Sequence, residues 1–240
     1  YHYIYYIVTI MVIRKMSKQV VLHSIDKPPK GVCPISDVPE DSFDWRLHAH
    51  LSPILTMTNE HYEALSIVIS CFQDRWAIWN NMSHTMPPNL SVPYCINVIT
   101  EQSLPLQNAW KFLQYHGSMD IVHDGYRTRT TYQCAPSLTT IRADIHDHGP
   151  VTASLTVDET FTAYWKQLCT GHPDLSDIIY TPPPSTKSTT TIPIKIIGWG
   201  CSPGGRNYWI STKNNTICSI SIFYASWKSS TNLLPSVNSS

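Results

Sequence analysis

Asn59 to Asn80, NEHYEALSIVISCFQDRWAIWN, contains no Gly or Pro and sustains one apolar face along its length. Tyr62, Leu65, Ile69, Phe72 and Trp76 recur at spacings of three and four, the period of one side of a helix. Val68, Cys71 and Trp79 widen that face, so the expected helix is buried on more than one side. Glu60 and Glu63 fall at its N-terminal end, where the helix dipole favours negative charge, and Asp74 and Arg75 fall toward the other. The spacing predicts a central helix against which the rest of the chain packs.

On the C-terminal side, Asn81 to Pro93 is a proline-punctuated loop, and Leu104 to His116 reads as a second amphipathic helix stopped by Gly117. Its inner side is formed by Leu106, Ala109, Trp110, Leu113 and Gln114. The character then changes. Leu138 to Asp147 fits a short helix, and Gly149 to Val157 alternates as a strand does. Phe161 to Gln167 is a short aromatic run, and Thr181 to Thr191 is a low-complexity loop. Ile192 to Gly200, Tyr208 to Thr212 and Ile217 to Trp227 are β-branched and aromatic, with a Gly204-Gly205 turn between the first two. Helices first and strands second indicate an α+β fold with two lobes.

On the N-terminal side, Lys27 to Ser42 is a Pro-rich linker. Ile4 to Ile13 is apolar but too short to span a bilayer; it reads equally as a β-branched strand or a remnant of a signal segment. Because residue 1 is Tyr rather than Met, the chain is expected to be a fragment or a processed product.

The 240 residues carry 17 basic and 17 acidic side chains, a balance that does not suggest nucleic-acid binding. Four sequons, at Asn81, Asn89, Asn214 and Asn238, mark possible glycan sites. The seven cysteines form no C-x-x-C pair, which argues against a zinc ribbon or a thioredoxin-type motif. Sequons and scattered cysteines together fit an oxidising, extracellular setting, and an odd count leaves at least one thiol without an intrachain partner. His146-Asp147-His148 and His48-Ala49-His50 could supply paired metal ligands, yet no third ligand is identifiable, so neither metal nor cofactor is expected.

In order along the chain, these landmarks resemble the papain family of cysteine proteases, and its cathepsin B-like branch in particular. Phe43-Asp44-Trp45-Arg46 and Ser52-Pro53-Ile54 resemble the mature N-terminus of that family. Asp74-Arg75 stands where the branch has Asp-Arg near the end of its central helix. Ala109-Trp110 with Gly117, His148-Gly149-Pro150-Val151, Ile194 to Gly200 and Tyr208-Trp209-Ile210 follow as the later helix and strands. Tyr132-Gln133-Cys134-Ala135-Pro136 is similar to a segment of the tubulointerstitial nephritis antigens, secreted non-catalytic homologues. The resemblance implies an extension or linker over 1–42 and a papain-like domain over 43–230. Within that domain it implies a helical left lobe over about 43–135 and a β-barrel-like right lobe over about 136–230, with a tail over 231–240. It also implies a Cys95–Cys134 disulfide.

A protease of this class needs a thiolate at a helix N-terminus, a His to activate it, an Asn to orient the His and a Gln to stabilise the oxyanion. Counting from Pro53 places Met57 at the Gln and Glu63 at the nucleophile; counting back from Asp74-Arg75 gives Glu63 again. Counting back from Gly198-Trp199 places Ile192 at the His. The Asn falls at Lys213 or, one residue on, at Asn214, and the family's N-S-W-G segment is missing, so a strand-and-turn piece is expected to be deleted from the right lobe. Cys71 lies two turns into the helix on its apolar side and reads as an inert core thiol.

The expectation is therefore a secreted, non-catalytic cathepsin B-like pseudoprotease that binds an extracellular matrix or cell-surface protein, with a lysosomal location as the alternative. No nucleic-acid partner and no transmembrane span are expected. Two competing readings are an active cysteine endopeptidase with a different catalytic register, and a degenerate product without function. The missing segment and a total of only 9 Gly favour the last of these.

Overall fold

The computed structural model describes residues 22–25, 38–39, 41–57, 62–82, 89–92, 95–96, 105–120, 125–128, 137–170, 178–181 and 190–221. The apolar run 4–13, most of the linker, the low-complexity loop between 181 and 190, Cys33, Cys134, Asn238 and the tail lie outside these residues.

The central helix α1 is Glu63–Trp79, and nearly every residue from Ala64 to Ala77 is buried. Trp79 departs from the expectation of burial. As the last residue of the helix it is 40% exposed, with the His148 ring beside it, 6.2 Å between centroids. The second helix, α2, is Leu106–Tyr115 and buries Ala109, Phe112 and Leu113. Against α1 these residues form one core with Leu65, Val68, Ile69, Phe72, Trp76, Leu90, Val92 and Cys95. Strands β1 (Leu22–Ile25), β3 (Ser118–Met119) and β4 (Gly125–Thr128) form a small sheet beside it, β1 parallel and β3 antiparallel to β4.

The second core belongs to the strands. Strand β7 (Thr190–Cys201) pairs antiparallel with β2 (Phe43–Asp44), with β5 (Val151–Val157) and with β8 (Asn207–Lys213). Strand β8 pairs with β9 (Thr216–Ser221), and β9 runs parallel to β6 (Ile179–Tyr180). Along β5 the alternate residues Val151, Ala153, Leu155 and Val157 are buried, as period two requires. They pack with Ile194, Ile196, Trp199, Trp209, Cys218 and Ile220, and with helices α3 (Leu138–His148) and α4 (Glu159–Cys169).

Three local expectations are corrected. Phe161 to Gln167 lies inside the eleven-residue helix α4, capped by Asp158, whose side chain accepts the Phe161 N–H. Thr190 and Thr191 open β7 rather than ending a loop, because they pair with Val157 and Thr156. Helix α3 continues through His148, so His146 and His148, two apart on a helix, point in divergent directions rather than together as paired ligands would. His146 packs against Phe43 and bonds Asp147, while His148 turns to Trp79.

Candidate functional site

Helix α1 lies between the two cores and is tied to the strands by adjacent residues. Asp74 is buried, and its Oδ2 accepts from Lys195 Nζ of β7 at 2.8 Å. Lys195 gives its other two N–H groups to Ser70 Oγ at 2.7 Å and to the Ser52 carbonyl at 3.0 Å, so all three ammonium donors are satisfied. Asp74 Oδ1 accepts the Ser52 N–H. Arg75 pairs with Asp144 of α3 at 3.1 Å and donates to the Pro150 carbonyl at 3.2 Å. The Asp-Arg dipeptide therefore reaches two different elements of the strand-rich lobe.

About three turns before Asp74, at the N-terminus of α1, lies the position the register assigns to the nucleophile. Glu63 is the first residue of the helix, and its carboxylate pairs with Lys213 Nζ at 2.7 Å. Lys213 ends β8, and the chain turns back into β9 through Asn214 and Asn215 alone. Both turn residues have positive φ, 49° and 64°, the conformation of a two-residue hairpin turn that asparagine tolerates. Asn215 then reaches the segment leading into α1: its Oδ1 accepts the Ile54 N–H at 2.7 Å and its Nδ2 donates to the Ile54 carbonyl at 3.0 Å. Ser66 and Ser70 of α1 hold the same incoming segment through the carbonyls of Leu55 and Ser52.

The other assigned positions are apolar. Met57 packs against the helical core, and Ile192, opposite Leu155, packs against the strand core. Of the described imidazoles, His148 contacts Trp79 at the far end of α1, sixteen residues and roughly 24 Å along the helix from Glu63. Asp147 binds His146 and Glu63 binds Lys213, so the two carboxylates have separate partners. Asn214 sits half-buried in the turn with its Oδ1 enclosed; Asn81 and Asn89 are exposed.

Among the described residues, five cysteines are free thiols and no disulfide is formed. Burial pushes the Cys71 thiol up to about 12, and it donates to the Pro150 carbonyl at 3.0 Å. Burial likewise pushes Cys95 up to about 11; its expected partner, Cys134, lies outside the described residues. No group of three His, Cys, Asp or Glu side chains gathers as a metal site among the described residues, and no described helix is long and apolar enough to cross a membrane.

Sequence reasoning located Glu63 but missed its partner. In sequence, Lys213 and Asn214 read as the two places where the family's asparagine could fall, and Asn214 also as a sequon. Two asparagines between β-branched runs are also a short-hairpin signal, and that signal would have found the turn.

No protein-family model matches the chain, and no curated protein sequence does. Solved structures do. The chain is similar to digestive procathepsin L 3 of Tenebrio molitor larval midgut, with TM-score 0.53 and 13% identity over 75% of this chain. It spans 64% of that procathepsin chain. It is similar to the bromelain protease of Ananas comosus, solved with the E64 inhibitor, with TM-score 0.54 and 13% identity over 75% of this chain and 89% of the other. A structure from work on the mite allergens Blo t 1 and Der p 1 superposes with TM-score 0.51 and 14% identity, over 87% of this chain and 72% of that one. These are papain-family cysteine proteases, and identities this low speak to the fold. The chain has the α+β papain-like fold.

Proposed function

We propose that this papain-like domain is a secreted pseudoprotease that acts by binding an extracellular matrix or cell-surface protein. One observation carries the reading: the position at the head of α1 holds a carboxylate neutralised by Lys213. A carboxylate is a weak nucleophile toward an amide, and an ion-paired one is weaker still. The Ile192 side chain has no atom that takes a proton, and the Met57 side chain has no N–H to donate. The hairpin that carries Lys213 also holds the segment leading into α1, through the two hydrogen bonds between Asn215 and Ile54. The secreted location and the matrix partner rest on the sequons, the scattered cysteines and the resemblance to the tubulointerstitial nephritis antigens.

The test is expression of the full chain through a secretory pathway. The expected product leaves the cell and shifts in gel mobility after enzymatic removal of N-glycans. It is retained on a basement-membrane extract and releases no fluorophore from dipeptide substrates of papain-type enzymes. Intracellular retention, or substrate turnover that a thiol-directed inhibitor abolishes, would overturn the reading.

A further inference from the structure

His148, the last residue of α3, is half-buried where that helix meets the end of α1. Its ring lies against the exposed Trp79, with 6.2 Å between centroids and 63° between planes. Its Nδ1 is enclosed and has no hydrogen-bond partner. The next residue, Gly149, has φ 102°, and a Cβ there would meet Ile78 at 2.8 Å and Arg75 at 3.2 Å, so the chain leaving α3 rests directly on α1. Arg75 faces the imidazole from α1 and is already bonded to Asp144 and to the Pro150 carbonyl. Asp144 and Asp147 face it from α3 itself, Asp147 being bonded to His146. The two carboxylates favour an imidazolium. Burial, and after it the Arg75 guanidinium, outweigh them and hold the imidazole below its ordinary value of about 6.5.

We propose that His148 is a proton-sensitive latch between α1 and α3, closed while the imidazole is neutral and opened when it is protonated. A neutral ring protonated on Nε2 keeps Nδ1 as a lone pair. An imidazolium carries an N–H there, and a buried charged donor without an acceptor is costly. It also stands as a second cation beside Arg75, competing for Asp144. Protonation therefore drives the ring out past Trp79 to water and uncovers the last turn of α1. That turn is closed by the N–H groups of Asn80, Asn81 and Met82, which donate to the carbonyls of Trp76, Ile78 and Ala77. Because the folded value lies below the unfolded one, the contribution to stability is full above about pH 6.5 and is lost as pH falls toward the folded value. The latch holds in neutral surroundings and opens in an acidic compartment. It stands independently of whether the groove is catalytic.

The test follows the His148 Cε1–H resonance of the full chain by NMR from about pH 8 to about pH 5, assigned by its absence in H148F. It also compares amide exchange in wild type and H148F at matched pH. The expected midpoint lies below about 6.5, and the Trp79 indole resonance shifts with the same midpoint. At about pH 5 the Asn81 and Met82 amides exchange severalfold faster in wild type than in H148F, and at about pH 7.5 the two proteins match. A midpoint at or above about 6.5, as the two carboxylates and the helix end would give by themselves, or equal exchange at about pH 5, would overturn the proposal.

Discussion

Glu63 and Lys213 approach each other from different lobes, and neither has the chemistry of a cysteine protease. At the first position of α1 the helix end stabilises negative charge, and Lys213 supplies the matching cation. Glu63→Gln is expected to cost on the order of 1 kcal/mol, a loss that shrinks with added salt in urea unfolding, because the pair is partly exposed. The Lys195–Asp74 pair is deeper, at 1% and 0% side-chain exposure. Lys195→Met should cost about 3–5 kcal/mol by leaving Asp74 buried and uncompensated. A Lys195→Met, Asp74→Leu double variant should recover much of that; if the single variant unfolds at the native urea midpoint, the clamp contributes nothing. Both residues were legible as members of ordered motifs. Their contact was not, since 121 residues separate them and no local pattern encodes a long-range ion pair.

At the scale of elements, period and punctuation carried most of the reading. The run from Tyr62 to Trp76 gave α1 within a few residues, and the alternation from Val151 to Val157 gave β5. Helix α4 was missed because its apolar residues are aromatic and few, and its signal lay outside the run, in the Asp158 cap. That cap yields a pH prediction. Thr160 Oγ1, and with it the Phe161 N–H and the Tyr180 hydroxyl, donate to Asp158 Oδ1 and hold the carboxyl below its ordinary range. A carboxyl depressed by folding stabilises above its unfolded value of about 3.9 and loses that contribution as pH falls through the folded value. The urea midpoint should therefore drop below about pH 4, and Asp158→Asn should flatten that part of the profile. An unchanged profile in the variant would remove Asp158 from the account. Gly198 sets a different element: a Cβ there would lie 2.1 Å from the Phe43 carbonyl oxygen, so β2 lies on β7 only where a side chain is missing. Gly198→Ala is expected to cost roughly 1–3 kcal/mol and to expose Trp45, read as a red shift in tryptophan emission.

The whole molecule is two cores with α1 between them, bridged by Lys195–Asp74, Arg75–Asp144, Lys213–Glu63 and Asn215–Ile54. Its class was legible because the two helical runs Tyr62 to Trp76 and Leu106 to Leu113 precede the β-branched runs of the second half, although α3 and α4 lie among those strands, and solved papain-family structures share the fold. What replaces the expected N-S-W-G segment was not legible. The sequence shows only that the motif is missing, whereas the structure shows β8 and β9 joined by a two-residue turn whose Asn215 bonds Ile54. The central claim is that no activated thiol stands at the head of α1. Its most direct test is the intact mass of folded protein after exposure, at mildly acidic pH, to an irreversible thiol-directed inhibitor of papain-type enzymes. The account predicts an unchanged mass. A single stoichiometric adduct abolished by replacing one cysteine would contradict it, and would mean that the nucleophile lies somewhere other than the position held by Glu63.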